Sequence, residues 1–250
     1  PYRTGFGTDA VQKPRVGPVH CEFKAVWPDQ GSIPFALNQD PDEDQTVLFT
    51  PAMGPSTRTS SGTELVLEPC QDSPWLPPRP GQTCRARIVS VHRNGNTAIP
   101  SARMLLHLNA AVAHKLEPIE PGTILSLSFK TSPDLSDLKT AISGGPVLVC
   151  EGRPESFTGS QPRHPRTAIG WNETHYVFLV VDGRQENLSI GMTLPELADY
   201  MHSLGCLEAM NLDGGGSSTF WMHGRVMNSP SDGHERRIAN GLVLLKKHRD

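Results

Sequence analysis

Three stretches in a row decide how this chain is read: Tyr176-Val-Phe-Leu-Val-Val181, then Thr193-Leu-Pro-Glu-Leu-Ala-Asp-Tyr-Met-His-Ser-Leu-Gly205, then Leu207-Glu-Ala-Met-Asn-Leu212, which runs straight into Asp213-Gly-Gly-Gly-Ser-Ser218. The first is a continuous apolar run of strand length, the pattern of a strand buried on both faces. In the second, Leu194, Leu197, Ala198, Met201 and Leu204 recur at helical spacing, Thr193 and Glu196 form a capping-box pair, and Gly205 supplies the stop. The third predicts a short strand broken by Glu208. A strand-helix-strand unit of this kind predicts parallel pairing through a right-handed crossover. Asp182-Gly183 closes the first strand and Asp213-Gly214 the second, so the two acids are expected at one edge of the sheet, where ligand sites gather.

The loop Asp213-Gly-Gly-Gly-Ser-Ser218 also carries the strongest chemical signal. Consecutive glycines are kept where backbone turns sharply or approaches a ligand closely. With a carboxylate before them and two hydroxyls after, the N–H groups of residues 214 to 217 are expected to form an anion-binding nest. The bland reading of the same residues is a tight turn with an ordinary Asp.

Outward from this unit the chain reads as short strands: 46–49, 64–67, 86–91 and 123–129, most of them bounded by Gly, Pro, Ser or Asp. Phe220-Trp-Met-His-Gly-Arg-Val-Met227 predicts a hairpin turning at His223-Gly224, and 238–245 a final buried strand. Residues 71–82 are too rich in proline for a central strand, and 101–116 are open between a short helix and an irregular connection. The expected fold class is α+β, a mixed α/β fold of short-stranded sheets with the crossover leading into the Gly-rich loop. Residues 1–44, with weak strand signals at 23–27 and 33–37, read as an irregular N-terminal part, truncated or divergent; 45–250 read as the main domain.

Composition excludes several function classes. The 250 residues carry 23 Lys and Arg against 26 Asp and Glu, interspersed, so there is no basic face for nucleic acid. No apolar run reaches the length of a membrane span. The five cysteines, Cys21, Cys70, Cys84, Cys150 and Cys206, show no metal-ligand spacing. Cys70 and Cys84 flank the proline-rich loop and are placed for a disulfide in an oxidising compartment, whereas Cys150 and Cys206 read as buried thiols. Among the ten histidines there is no HExxH or similar pair, so no metal and no cofactor is expected; His164, His175 and His234 read as solvated or structural. Ser217 or Ser218 as a nucleophile lacks the Gly-x-Ser-x-Gly elbow.

Three further stretches combine polar residues with Gly or Pro beside a predicted strand: Ala141-Ile-Ser-Gly-Gly-Pro146, His164-Pro-Arg-Thr-Ala168 and Asn228-Ser-Pro-Ser-Asp-Gly-His-Glu-Arg236. Arg166 and Arg236 offer planar donor forks suited to phosphate or carboxylate. Each can equally be a surface Arg beside an acid.

Taken in order, Ile142-Ser-Gly-Gly-Pro146, Pro165-Arg-Thr-Ala-Ile-Gly170, Val181-Asp-Gly-Arg-Gln185, the 211–219 loop and Pro230-Ser-Asp-Gly-His-Glu-Arg236 followed by Ile238-Ala-Asn240 resemble the phosphodiester glycosidase family. An Asn-Gly-x-Phe-Phe-like motif usual in that family is missing, and Arg237 stands where Pro is common. The resemblance implies hydrolysis of a sugar-1-phosphodiester at the anomeric C–O bond, giving a free sugar and a phosphomonoester. It implies Asp213 as the catalytic carboxylate, with Asp182 and Glu235 behind it. Arg166, Arg236, Ser143, Gly144, Gly145, Gly214, Gly215, Gly216, Ser217 and Ser218 are the implied phosphate and substrate contacts. Asp182 and Asp213 can instead only shape their turns, and Glu235 only orient Arg236. The rival readings are a glycoside hydrolase acting on a polysaccharide and a carbohydrate- or phosphate-binding module without turnover. A small-molecule or glycan substrate and an extracytoplasmic or secreted location are expected; the oligomeric state is left open.

Overall fold

The computed structural model describes residues 3–28, 31–42, 44–70, 75–238 and 240–245. In chain order the strands are β1 (Arg3–Thr8), β2 (Pro14–Trp27), β3 (Gly31–Pro34), β4 (Ala36–Leu37), β5 (Val47–Phe49), β6 (Thr63–Pro69), β7 (Thr83–His92), β8 (Met104–Leu108), β9 (Ile124–Ser132), β10 (Thr140–Gly144), β11 (Val147–Cys150), β12 (Arg153–Pro154), β13 (Arg166–Trp171), β14 (Tyr176–Val181), β15 (Glu208–Asn211), β16 (Trp221–Met222) and β17 (Arg225–Val226). Helix α1 (Ala110–Lys115) follows β8 and helix α2 (Leu194–Ser203) follows β14. Large sheets and few helices make this a mixed α+β architecture. No helix among the described residues is long and apolar enough to cross a membrane.

The chain divides into two compact units, one of residues 20–136 and one of residues 1–19 with 137–250. In the first, the order β9-β7-β6-β8-β5-β4 builds a sheet, with the second half of β2 on β9 and β3 on β2. One face carries a core that includes Leu65, Leu67, Ile88, Leu106, Leu125, Leu127 and Phe129, all nearly or wholly buried. Alternation along β7 and β9 supplies it, since only every second side chain faces inward. Residues 101–116 resolve into β8 and α1, because Asn109 breaks the strand and caps the helix, accepting the Val112 N–H at 2.9 Å.

The second unit holds the sheet β12-β11-β15-β13-β14. Helix α2 has the expected capping box between Thr193 and Glu196 and buries Leu197, Ala198 and Met201 against Leu148, Val149, Ala168, Cys206 and Ala209. Leu204 lies beyond its last turn and is exposed. The expected parallel pairing of β14 with β15 does not form. Each pairs antiparallel with β13, which lies between them. Nor is β14 buried on both faces: it is the edge strand, and none of its side chains is buried. Val177, Leu179 and Val181 lean on the core shared with α2, and Phe178 on a second cluster with Ile169, Trp171 and Met210.

Other expectations also change. Residues 3–8 and 14–27 are regular strands rather than an irregular entry, with β1 pairing to β10 and to the first half of β2. The final strand does not form among the described residues: 238 and 240–245 have no regular structure, and Ile238, Val243, Leu244 and Leu245 are exposed. The hairpin at His223-Gly224 forms as β16–β17, with φ of 52° and 82° at its two turn residues. Of the proline-rich loop, 71–74 lie outside the described residues; 75–82 are not strand. Cys70 and Cys84 are free thiols, Cys206 is buried, and Cys150 is exposed rather than buried because its side chain projects from the end of β11.

Candidate active site

The antiparallel register brings three chain segments to one edge of the second unit's sheet. Arg166 opens β13 opposite Val181, which closes β14, and Ala168 lies opposite Asn211, which closes β15. The ladder continues past β15: the Leu212 N–H donates to the Thr167 carbonyl at 2.8 Å and the Gly215 N–H to the Pro165 carbonyl at 2.9 Å. Asp182, Arg166 and Asp213 therefore share one edge, as expected, although through β13 rather than through a direct β14–β15 pairing. A fourth segment joins them through Asn211. Its backbone exchanges hydrogen bonds with Gly145 and Pro146 at 2.7 and 3.0 Å, and its Nδ2 donates to the Gly145 carbonyl at 2.9 Å.

These segments line a cavity of about 550 Å³. Of the residues singled out in the sequence, it gathers Ser143, Gly144, Gly145, Arg166, Asp213, Gly214, Gly215, Gly216 and Arg236. Asp182, Glu235, Ser217 and Ser218 are not in its lining. Glu235 is an exposed side chain. Ser218 is buried, with its Oγ accepting from the Thr167 hydroxyl at 3.1 Å, so it ties the loop to β13. Asp182 is tied to the 228–229 segment, where its carboxylate accepts from Asn228 Nδ2 at 3.0 Å and from the Ser229 N–H at 3.0 and 3.1 Å.

The Gly-rich loop is a one-turn 3-10 helix over Gly215–Ser217. Its N–H groups are less available than the sequence suggests. That of Gly214 donates to Asp213 Oδ1, that of Gly215 to Pro165, and that of Ser217 to Gly214. They are taken up within the loop or by the neighbouring Pro165 carbonyl. What the glycines provide instead is room. A Cβ on Gly215 would meet the Arg184 guanidinium at 3.2 Å, and one on Gly216 would run into Arg236 and Asp232. The two arginines lie over backbone that carries no side chain.

The cavity is cationic. Arg166 is held by its Nε on the Met192 carbonyl and one Nη on the Pro162 carbonyl, both at 2.9 Å. Burial and then the neighbouring Arg184 depress its pKa, and a guanidinium stays charged under such shifts. Arg236 is paired with Asp232, Nη2 to Oδ2 at 2.6 Å. Sequence reasoning passed over Arg184 and read His164 as solvated or structural, yet both line the cavity. Arg184 Nη2 donates to His164 Nδ1 at 3.2 Å. Because a guanidinium only donates, that nitrogen is the acceptor and the neutral ring carries its proton on Nε2. Burial, then Arg184 and Arg166, hold His164 below the usual imidazole range. Asp213 is exposed, and its one described side-chain partner is the adjoining Gly214 N–H. Three guanidiniums and an imidazole thus face one lining carboxylate, a charge balance that suits an anion. Among the described residues no group of three or more His, Cys, Asp or Glu is placed to hold a metal ion.

Residues 83–245, well over half of the chain, match the family model described as phosphodiester glycosidase. The chain belongs to that family. Over 83 residues, 33% of the chain, it is 40% identical to a prophage-derived protein of Bacillus subtilis (strain 168), covering 13% of that protein. Over 68 residues, 27% of the chain, it is 41% identical to the N-acetylglucosamine-1-phosphodiester alpha-N-acetylglucosaminidase of Bos taurus, covering 12% of that protein. The matched stretches are thus a small part of these curated relatives. A solved structure of a hypothetical protein from Synechocystis shares the fold with a TM-score of 0.70 at 20% identity, over 92% of this chain and 43% of that one.

Proposed function

We propose that this chain hydrolyses a sugar-1-phosphodiester at the anomeric C–O bond, releasing a free sugar and a phosphomonoester. The observation that carries the reading is the composition of one cavity: the Arg166, Arg184 and Arg236 guanidiniums converge there with a single exposed carboxylate, Asp213. A phosphodiester leaving group departs as a phosphomonoester whose charge needs holding, and fixed guanidiniums do that without a general acid. The oxocarbenium-like centre at the sugar still needs a carboxylate, as nucleophile or as base for water. Asp213 is that group. In this scheme His164 Nε2–H and the Arg166 nitrogen left free of Met192 and Pro162 contact the phosphate oxygens, while Ser143 to Gly145 line the sugar's approach.

An ordinary glycosidic bond would call for a second carboxylate within roughly 5 to 10 Å of the first. Among the described residues no second carboxylate lines the cavity, and Asp232 behind Arg236 is occupied by that guanidinium, which favours the phosphodiester. The name of the bovine relative suggests an α-linked N-acetylglucosamine as the sugar. The test is turnover of an α-N-acetylglucosamine-1-phosphodiester by the wild type and by Asp213→Asn. Loss of both products in the variant supports the reading; equal turnover by both proteins contradicts it.

A further inference from the structure

We propose that Asp182 is a positioning residue that fixes the segment 228–236 and through it places Arg236 in the cavity; this rests on the anion-site reading above. Beyond β17 the described residues form no strand or helix, and most of the described residues from 231 to 245 are exposed, so the placement of this segment depends on a few side-chain contacts. Asp182 is at the centre of them. It accepts from Asn228 Nδ2 and, with both oxygens, from the Ser229 N–H. Asn228 carries the tie further, its Oδ1 accepting from the Phe220 N–H at 2.8 Å and its Nδ2 also donating to the Ser218 carbonyl at 3.0 Å. Ser229 exchanges two hydrogen bonds with Gln185, at 2.7 and 2.8 Å. The turn that carries Arg184 and the segment that carries Arg236 are thereby joined in one network to the end of the Gly-rich loop.

The chemistry of that network favours a carboxylate. The groups facing Asp182 are donors, an amide NH₂ and a backbone N–H. A carboxylate accepts from both with Oδ1 and again from Ser229 with Oδ2; the isosteric carboxamide keeps one oxygen for both donors but sets its NH₂ in place of Oδ2 against the Ser229 N–H, a donor facing a donor. Asp182→Asn keeps the shape of the side chain and weakens the tie at Ser229. No catalytic role is needed to explain an acid at this position.

The experiment is a pair of measurements on the full chain, made on wild type, Asp182→Asn, Arg236→Gln and the double variant. Hydrogen exchange of the free protein reads the strut: Asp182→Asn is expected to raise exchange in residues 218–236 while the α2 and β13 amides keep their protection. Calorimetry with inorganic phosphate reads the coupling: Asp182→Asn weakens binding about tenfold or more, and adds little once Arg236 is already Gln. Unchanged exchange in 218–236 overturns the proposal, as does full additivity of the two substitutions. Should Asp182→Asn unfold, Asn228→Ala removes one donor, leaves the carboxylate in place and is expected to give the same pattern. A wild type that binds no phosphate overturns the anion-site reading, and the exchange data then still decide whether Asp182 holds the segment.

Discussion

Gly216→Ala separates the site from the fold, because the new methyl has one place to go and that place holds Arg236. The Cβ would lie 2.6 Å from Arg236 Cζ and would also overlap the Asp232 carboxylate. Carbon contacts settle near 3.5 to 4.0 Å, so the guanidinium must withdraw by about 1 Å. For stability this is a small matter. Arg236 and Asp232 have side-chain ends that can swing aside, Gly216 does not occupy the left-handed region, and Ala restricts the unfolded chain, so the change in unfolding free energy stays within about 1 kcal/mol. For binding it is not small. A hydrogen bond to a charged group contributes about 1.5 to 3 kcal/mol, which corresponds to a loss of roughly 10- to 150-fold in affinity for phosphate. Calorimetric titration with phosphate and a thermal melt, run on the same preparation, give both numbers. Wild-type phosphate affinity in a folded Gly216→Ala protein would refute the placement of Arg236 over the glycine loop; a large loss of stability would refute the claim that only movable side-chain ends are in the way.

Asp213→Asn keeps the acceptor for the Gly214 N–H and is expected to leave the melting temperature in place while lowering kcat by about 10²- to 10⁴-fold; near-wild-type kcat in steady-state assays would remove Asp213 from the chemistry. Arg184 has φ of 59°, so Arg184→Asn, which tolerates that backbone, is the clean deletion of its charge, and KM for the phosphodiester should rise about tenfold or more with a weaker dependence on salt than the wild type shows. In the other compact unit, burial raises the Glu64 pKa, but the His107 ring nitrogen 3.6 Å away and hydrogen bonds from the Thr97 N–H at 2.9 Å and the Thr59 hydroxyl at 2.7 Å outweigh it and lower the value from 4.5 to about 2. A carboxylate whose folded pKa is depressed contributes stability that is fully present above pH 4.5 and is lost as the pH falls toward 2. Wild type should therefore exceed Glu64→Gln by a margin that is constant near neutrality and shrinks by about 3 kcal/mol below pH 4.5 in denaturant titrations; a margin independent of pH down to 3 contradicts this.

The local elements were readable where one segment contains its own reasons. The capping box of Thr193 and Glu196, the His223-Gly224 turn and the run Tyr176 to Val181 each announce themselves within a dozen residues. Pairing was not readable in the same way. Whether β14 meets β15 or β13 depends on a strand that comes earlier in the chain, and the apolar run of β14 is the same for an edge strand packed on two clusters as for a central one. Gly5, Gly7, Pro14 and Pro18 concealed β1 and the start of β2, because residues that usually break strands sit here inside a ladder: Pro14 and Pro18 lie opposite Thr8 and Thr4, and Gly5 and Gly7 opposite Ser143 and Ala141 of β10.

At the site, the Gly-rich loop, Arg166, Arg236 and Asp213 were legible as motifs and do meet in one cavity. The partners of Asp182 were not, since its donors come from Asn228 and Ser229, more than forty positions away. Arg184 left a signal that could have been followed: an Arg directly after Asp-Gly at the end of a strand sits in a turn, where its side chain points out from the sheet edge. His164 left none, because its tautomer and its place beside Arg184 exist only in three dimensions.

The most direct measurement of the proposed chemistry is hydrolysis of an α-N-acetylglucosamine-1-phosphodiester in oxygen-18 water, with mass spectrometry of both products. Attack at the anomeric carbon predicts the heavy oxygen in the sugar and none in the phosphomonoester. Heavy oxygen in the phosphomonoester would mean that the P–O bond breaks, and would contradict a glycosidase built around Asp213 and the three arginines.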